Sequence, residues 1–175
     1  YHIIPTQIYE IIFNVRQEKS PCSLCARMRR GALHDASKEL GCNKIALGHH
    51  FDDAIETFML NLFFEGRIGC FRPVTYLSIK DITMIRPLIY TYEKDIVAFA
   101  SKEGLPVYKA PCPADGNTER AKMKEFLAPF DKEHPGLYHR VMGAIQRAEL
   151  DGFHEDRIDQ AEKLRRKSEN KKSPL

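Results

Sequence analysis

One junction constrains this chain more than any other stretch. The apolar run Ile45-Ala46-Leu47, closed by Gly48, gives way within a few residues to an amphipathic helix, and His49, His50, Asp52 and Asp53 cluster at the changeover. Residues 43–48 read as a short buried strand. From Asp53 onward Ala54, Ile55, Phe58, Met59, Leu62 and Phe63 recur at helical spacing, and Asp53-x-x-Glu56 predicts a capping box with Asp53 at its head. In open α/β sheets ligands bind beyond the carboxyl ends of strands, so this junction is the first place to look for a site. Gly48 allows a ligand close to the backbone, and the first helical turn offers N–H groups to an anion. Two His and two Asp so close together cost stability unless they are solvated, capping or functional. His and Asp suit a metal, and a nucleotide held through Mg²⁺ is chemically as compatible.

Around this junction strand and helix alternate. Tyr1–Pro5 is strand-like and opens without Met, which predicts that an N-terminal part precedes it. A polar stretch runs to Ser20-Pro21, and a helix is expected from about Ala26 to Leu40, with Gly41 as its C-terminal stop. Residues 74–79 and 82–85 read as a hairpin around Lys80-Asp81, ended by Pro87. Thr91 is expected to cap a helix to about Glu103 with Ile96, Phe99 and Ala100 inward, and residues 105–108 read as another short strand. Met123, Phe126, Leu127 and Phe130 mark one later amphipathic helix; Val141, Ala144, Ile145 and Ala148 mark a second. The pattern predicts one α/β domain over residues 1–150, a mostly parallel sheet with helices added at the C-terminal end. Residues 151–175 read as a basic tail, helical or disordered.

Composition narrows the function classes. With 43% apolar and 29% charged residues the chain is of globular type. No apolar run approaches a membrane span and Tyr1–Thr6 lacks a signal-peptide pattern, so a cytoplasmic protein without membrane contact is expected. The net charge of +3 is uneven. The stretch from Arg157 to Leu175 is strongly basic, either a solvated terminal helix or an electrostatic arm for nucleic acid. Five cysteines are an odd number, and the Cys22/Cys25 pair alone is closely spaced. A reducing compartment fits better than a disulfide scaffold, and there Cys-x-x-Cys signifies a metal, an iron–sulfur cluster or a redox dithiol.

The segment Cys22-Ser-Leu-Cys25-Ala-Arg27-Met-Arg29-Arg30-Gly31 is the second chemical signal. Thiolates act as ligands or nucleophiles, and Arg27, Arg29 and Arg30, with the adjacent helix start, would supply a stabilising field. Two cysteines are half a zinc site, and a cubane cluster wants three or four. Cys112, in the Pro111-Cys112-Pro113 loop, is the third candidate; Cys42 and Cys70 read as apolar fillers.

Three of these segments together carry a resemblance: Cys22–Gly31, Lys44–Asp53 and Ile85–Leu88, continued by the Pro-Cys-Pro loop and His134-Pro135-Gly136. From about Tyr1 to Arg147 the chain resembles the tRNA 2-thiocytidine biosynthesis proteins of the PP-loop ATP pyrophosphatase superfamily. That resemblance implies a Rossmann-like fold of the adenine nucleotide alpha hydrolase type. It implies an enzyme that adenylates a tRNA base carbonyl, that of a cytidine, with ATP and then replaces the activated oxygen with sulfur. It further implies a [4Fe–4S] cluster on Cys22, Cys25 and Cys112, with Cys22 and Cys25 taking part in sulfur transfer. Gly48 and His49 match the nucleotide side of the strand end, and Asp52 and Asp53 match the catalytic acidic pair near the phosphates, acting through Mg²⁺ or as proton acceptors. Arg27, Arg29 and Arg30 match a basic segment facing ATP or RNA phosphates. The implied partners are tRNA and a sulfur donor, a cysteine desulfurase or sulfide, with a homodimer left open.

Two departures stand beside the resemblance. Relatives begin with a Ser-Gly-Gly-x-Asp-Ser phosphate loop that this sequence does not contain, which predicts a copy truncated at its N-terminus. Many relatives carry Pro-Cys-x-x-Cys in the later loop, where this chain has Pro111-Cys112-Pro113-Ala114-Asp115; either Cys112 or Asp115 stands in the third ligand position. Two alternatives remain open from sequence: another PP-loop tRNA-modifying enzyme, or a zinc- or RNA-binding module without catalysis.

Overall fold

A computed structural model describes residues 1–108 and 111–148. A π-helical turn, Glu10–Val15, buries Ile12 completely. Helix α1 spans Pro21–Glu39. It starts at Pro21, where a missing N–H costs nothing, so the Cys-x-x-Cys lies inside its first turns rather than ahead of it, as the sequence suggested. Gly41 follows α1 in the left-handed region at φ 70°.

Strand β1 is Lys44–Ala46, β2 is Val74–Leu77 and β3 is Ile82–Ile85. Their order is β1-β3-β2. β1 runs parallel to β3, with Ile45 opposite Met84, and β2 is antiparallel to β3, with Thr75 opposite Met84. The hairpin turns at Asp81, which has φ 51° and accepts a 2.8 Å hydrogen bond from the Tyr76 hydroxyl. Lys80 pairs with Asp35 at 2.8 Å and ties this hairpin to α1. Ile45, Ile82 and Met84 form a small core under the sheet.

The larger core belongs to the helices. Helix α2, Phe51–Phe64, lays Phe51, Ala54 and Ile55 against Met123 and Leu127 of α4 (Glu119–Glu133) and against Tyr138, Met142 and Ile145 of α5 (Leu137–Arg147). Gly136, at φ 83°, makes the turn between α4 and α5 in a conformation that favours glycine. Helix α3, Glu93–Lys102, buries none of its residues.

The α/β architecture and the C-terminal helices are as the sequence predicts, and several details differ. Residues 1–5 and 105–108, both expected to be strand-like, are exposed and pair with no strand among the described residues. Phe99 is exposed rather than inward. On α5 the expected Val141 and Ile145 do pack against the core, joined by Tyr138 and Met142, while Ala144 and Ala148 are exposed. The basic tail proposed for 151–175 lies outside the described residues. No helix among the described residues is long and apolar enough to cross a membrane.

Candidate active site

The strand-to-helix junction is built by a cap that the sequence misplaces. Phe51 is buried and its N–H donates to the Thr91 carbonyl at 3.0 Å, which starts α2 two residues earlier than the apolar periodicity suggests. The N-cap is therefore His50. Its Nδ1 accepts the Asp53 N–H at 3.4 Å, and the His50 N–H donates to Asp53 Oδ2 at 3.0 Å, a reciprocal box with Asp53 in the third position. An acceptor role at Nδ1 places the ring proton on Nε2, which lies 3.4 Å from Asp53 Oδ2.

The first turn of α2 is thus not the open anion cradle expected from sequence. One of its N–H groups is taken by His50, and two carboxylates occupy its rim. Asp52 reaches across to helix α3, where its Oδ2 accepts the Glu93 N–H at 2.8 Å. That bond caps a helix whose own N-cap residue, Tyr92 rather than the expected Thr91, offers no side-chain acceptor. Asp53 turns the other way, its Oδ1 2.8 Å from Arg120 Nη1 on α4.

A cleft of about 250 Å³ opens at this point, lined among others by His50, Asp53, Glu56, Arg120 and Lys124, and also by Asp115 and Gly116. Glu56 is the group that sequence reading took only for a capping partner. It is 3% exposed, and its Oε2 lies 3.4 Å from Arg120 Nη1. Burial pushes its carboxyl up to about 7 against the opposing pull of Arg120, with Asp53 adding to the rise. Beside the cleft Lys124 pairs with Glu93.

This yields a test in pH. Folded, Glu56 keeps its proton up to about pH 7, whereas an unfolded chain releases it near 4.5. Between these values the folded state binds the extra proton, so the Glu56 contribution to stability is greatest below pH 4.5, declines as pH rises and levels off above 7. The slope is at most about 1.4 kcal/mol per pH unit. Unfolding free energy of wild type minus that of Glu56→Gln, followed from pH 4 to 8, should fall across this window; a difference that stays flat contradicts it.

On the other side of the junction, His49 packs on Phe71 with ring centroids 4.8 Å apart, and its Nδ1 is buried without a partner. Burial first, and then the charge of Arg86, lower its pKa and favour the neutral ring. Arg86 follows β3, is 8% exposed, stacks over Phe71 and donates to the Arg72 carbonyl. A Cβ on Gly48 would meet nothing within 4 Å, so the space past the end of β1 is open.

The cysteines are placed apart from this cleft. Cys22 is exposed and Cys25 half-buried, three residues apart on α1, so they share a helical face. Arg27, Arg29 and Arg30 are exposed on the same helix. None of these α1 residues lines the cleft. Cys112 is exposed in a loop whose turn is closed by the Asp115 N–H donating to the Cys112 carbonyl at 3.0 Å, and that loop reaches the cleft through Asp115 and Gly116. Among the described residues no three His, Cys, Asp or Glu side chains group as a metal site. The geometry therefore offers a two-thiol pair and a separate third thiol, and does not fit a three-cysteine cluster as it stands.

Comparison with known proteins follows the same lines. The family model described as a PP-loop domain matches residues 2–130. Among curated proteins the chain is 40% identical over 148 residues to a tRNA-cytidine(32) 2-sulfurtransferase of Shewanella pealeana, covering 83% of this chain and 48% of that protein. It is 39% identical to the protein of the same name from Geobacter sulfurreducens, covering 83% and 58%. The chain spans about half the length of the curated relatives it matches. Among solved structures, the U34-tRNA thiolase NcsA from Methanococcus maripaludis with its [4Fe-4S] cluster superposes with a TM-score of 0.61 at 24% identity, over 80% of this chain and 49% of that one. That likeness is one of fold.

Proposed function

The chain belongs to the PP-loop domain family, and from that premise we propose that it is part of an ATP-dependent tRNA sulfurtransferase acting on a cytidine. The observation that carries the reading is the identity of about 40% with proteins named tRNA-cytidine(32) 2-sulfurtransferase across 83% of the chain. In the reaction, the C2 carbonyl oxygen of the base attacks the α-phosphorus of ATP and pyrophosphate leaves. A sulfur nucleophile then adds at C2, and AMP departs with the former carbonyl oxygen.

In this reading Asp53, with both carboxylate oxygens fixed by His50 and Arg120, is the anion at the cleft that holds Mg²⁺ or takes a proton. Asp52 keeps α3 in place beside it. Gly48 leaves room for the nucleotide past β1, and neutral His49 lines that side. Arg27, Arg29 and Arg30 present charge to RNA or nucleotide phosphates. Cys22 and Cys25 are the sulfur-handling pair. A [4Fe–4S] cluster on Cys22, Cys25 and Cys112 would need the three thiols gathered, which they are not in this structure, so the reaction is written without a step through a cluster. Sulfide or a cysteine desulfurase is the donor, in the cytoplasm.

The deciding experiment incubates the full-length protein, purified without oxygen, with tRNA, ATP and sulfide, and digests the tRNA for mass spectrometry. The expected product is 2-thiocytidine, dependent on ATP, from protein that contains iron with matching acid-labile sulfide. Zinc in place of iron, with no thionucleoside formed, would replace this reading with a structural metal module that binds RNA.

A further inference from the structure

The acidic pair at the head of α2 is held from outside its own helix, and the grip on Asp53 comes from a residue 67 positions away. Arg120 straddles one full turn of α2. Its Nη1 lies 2.8 Å from Asp53 Oδ1 and 3.4 Å from Glu56 Oε2, and its Nη2 donates to Thr57 Oγ1 at 2.9 Å. The planar fork reaches three side chains at once. Exposure is graded along the contact: the Glu56 side chain is 4% exposed, that of Asp53 19% and that of Arg120 40%. The buried Glu56 carboxyl and the Thr57 hydroxyl therefore anchor the guanidinium by hydrogen bonds, and the guanidinium in turn orients the more accessible Asp53 carboxylate toward the cleft. The other oxygen of Asp53 takes the His50 N–H, so rotation of the carboxylate is opposed at both ends.

We propose that Arg120 is a positioning residue, which holds the Asp53 carboxylate at the cleft through a guanidinium anchored on Glu56 and Thr57. The proposal rests on the thiolation reading, since it assigns Arg120 a part in that reaction. A fixed carboxylate needs no reorganisation at the moment the phosphates and the base meet, and loss of such fixation slows the reaction without weakening substrate binding to the same degree.

The test is a double-mutant cycle in the full-length protein, read as kcat and KM for ATP-dependent tRNA thiolation, using Arg120→Ala, Arg120→Lys, Asp53→Asn and the Arg120→Ala/Asp53→Asn pair. Arg120→Ala should lower kcat about tenfold or more with little change in the KM for tRNA. Arg120→Lys, which restores the charge but not the fork, should recover part of that loss. The pair should be no slower than Asp53→Asn alone, because a residue that acts through Asp53 has nothing left to position. Thermal unfolding of each variant accompanies the kinetics. Equal fractional losses from Arg120→Ala in both backgrounds, or a loss that tracks the unfolding midpoint alone, overturns the proposal and leaves Arg120 a helix tie. Wild-type protein that forms no thionucleoside overturns the thiolation reading, and the positioning role falls with it.

Discussion

Alanine at Cys22 or at Cys25 is expected to lower tRNA thiolation by the full-length protein at least about 100-fold, while ATP binding and the folded state persist. Losing even an outer partner of a metal ligand costs about 10- to 100-fold, and the loss of a thiol that carries sulfur or ligates the carrier cannot be smaller. The structure makes the experiment clean. Cys22 is exposed, Cys25 is half-buried, and neither belongs to either hydrophobic core, so removing a sulfur atom leaves no cavity. Thionucleoside yield measured beside unfolding midpoint separates the two effects. Wild-type activity in both single variants would remove the pair from the chemistry and leave it a surface dithiol.

The largest effect on stability is expected at Ile55. It is fully buried where α2, α4 and α5 meet. Ile55→Ala removes three carbons from a site that neighbours on three helices cannot close, and the expected cost is about 2–5 kcal/mol. Val97→Ala on α3, where the side chain is 60% exposed, should stay within about 0.5 kcal/mol. Denaturant unfolding of both variants checks the contrast, and equal losses would mean that α2 is not the centre of the core.

How much of this was legible in the sequence follows from what each signal depends on. Helix α2 and the hairpin were legible because the spacing of Ala54, Ile55 and Phe58, and the Lys80-Asp81 turn, are local. The cleft was half legible: His50 and Asp53 stand in one run of polar residues, so their clustering is visible without coordinates. The cap was not. Asp is the commoner N-cap, and His50 takes the place because Phe51 is drawn into the core and bonded to Thr91, a contact 40 residues away. Arg120 left no mark in the sequence, since within Glu119-Arg120-Ala121-Lys122 it looks like any solvated helix charge. The strand expected at 105–108 failed because an apolar pattern suits a pleated surface without specifying a partner, and these residues pair with none.

The cross-helix bond from Asp52 to Glu93 has a consequence for how the molecule opens. Helix α3 buries no side chain of its own, and its fixed points are at its first turn: the Asp52 carboxylate on the Glu93 N–H and the Lys124 ammonium on the Glu93 side chain. An element held at one end has a free energy of local opening well below that of the whole protein. It is expected to open from Lys102 backwards while α2, α4 and α5 remain closed. Asp52, next in sequence to the aspartate that lines the cleft, is therefore one of the two side chains that hold the one described helix burying none of its residues, and losing both contacts would free that helix without opening the core.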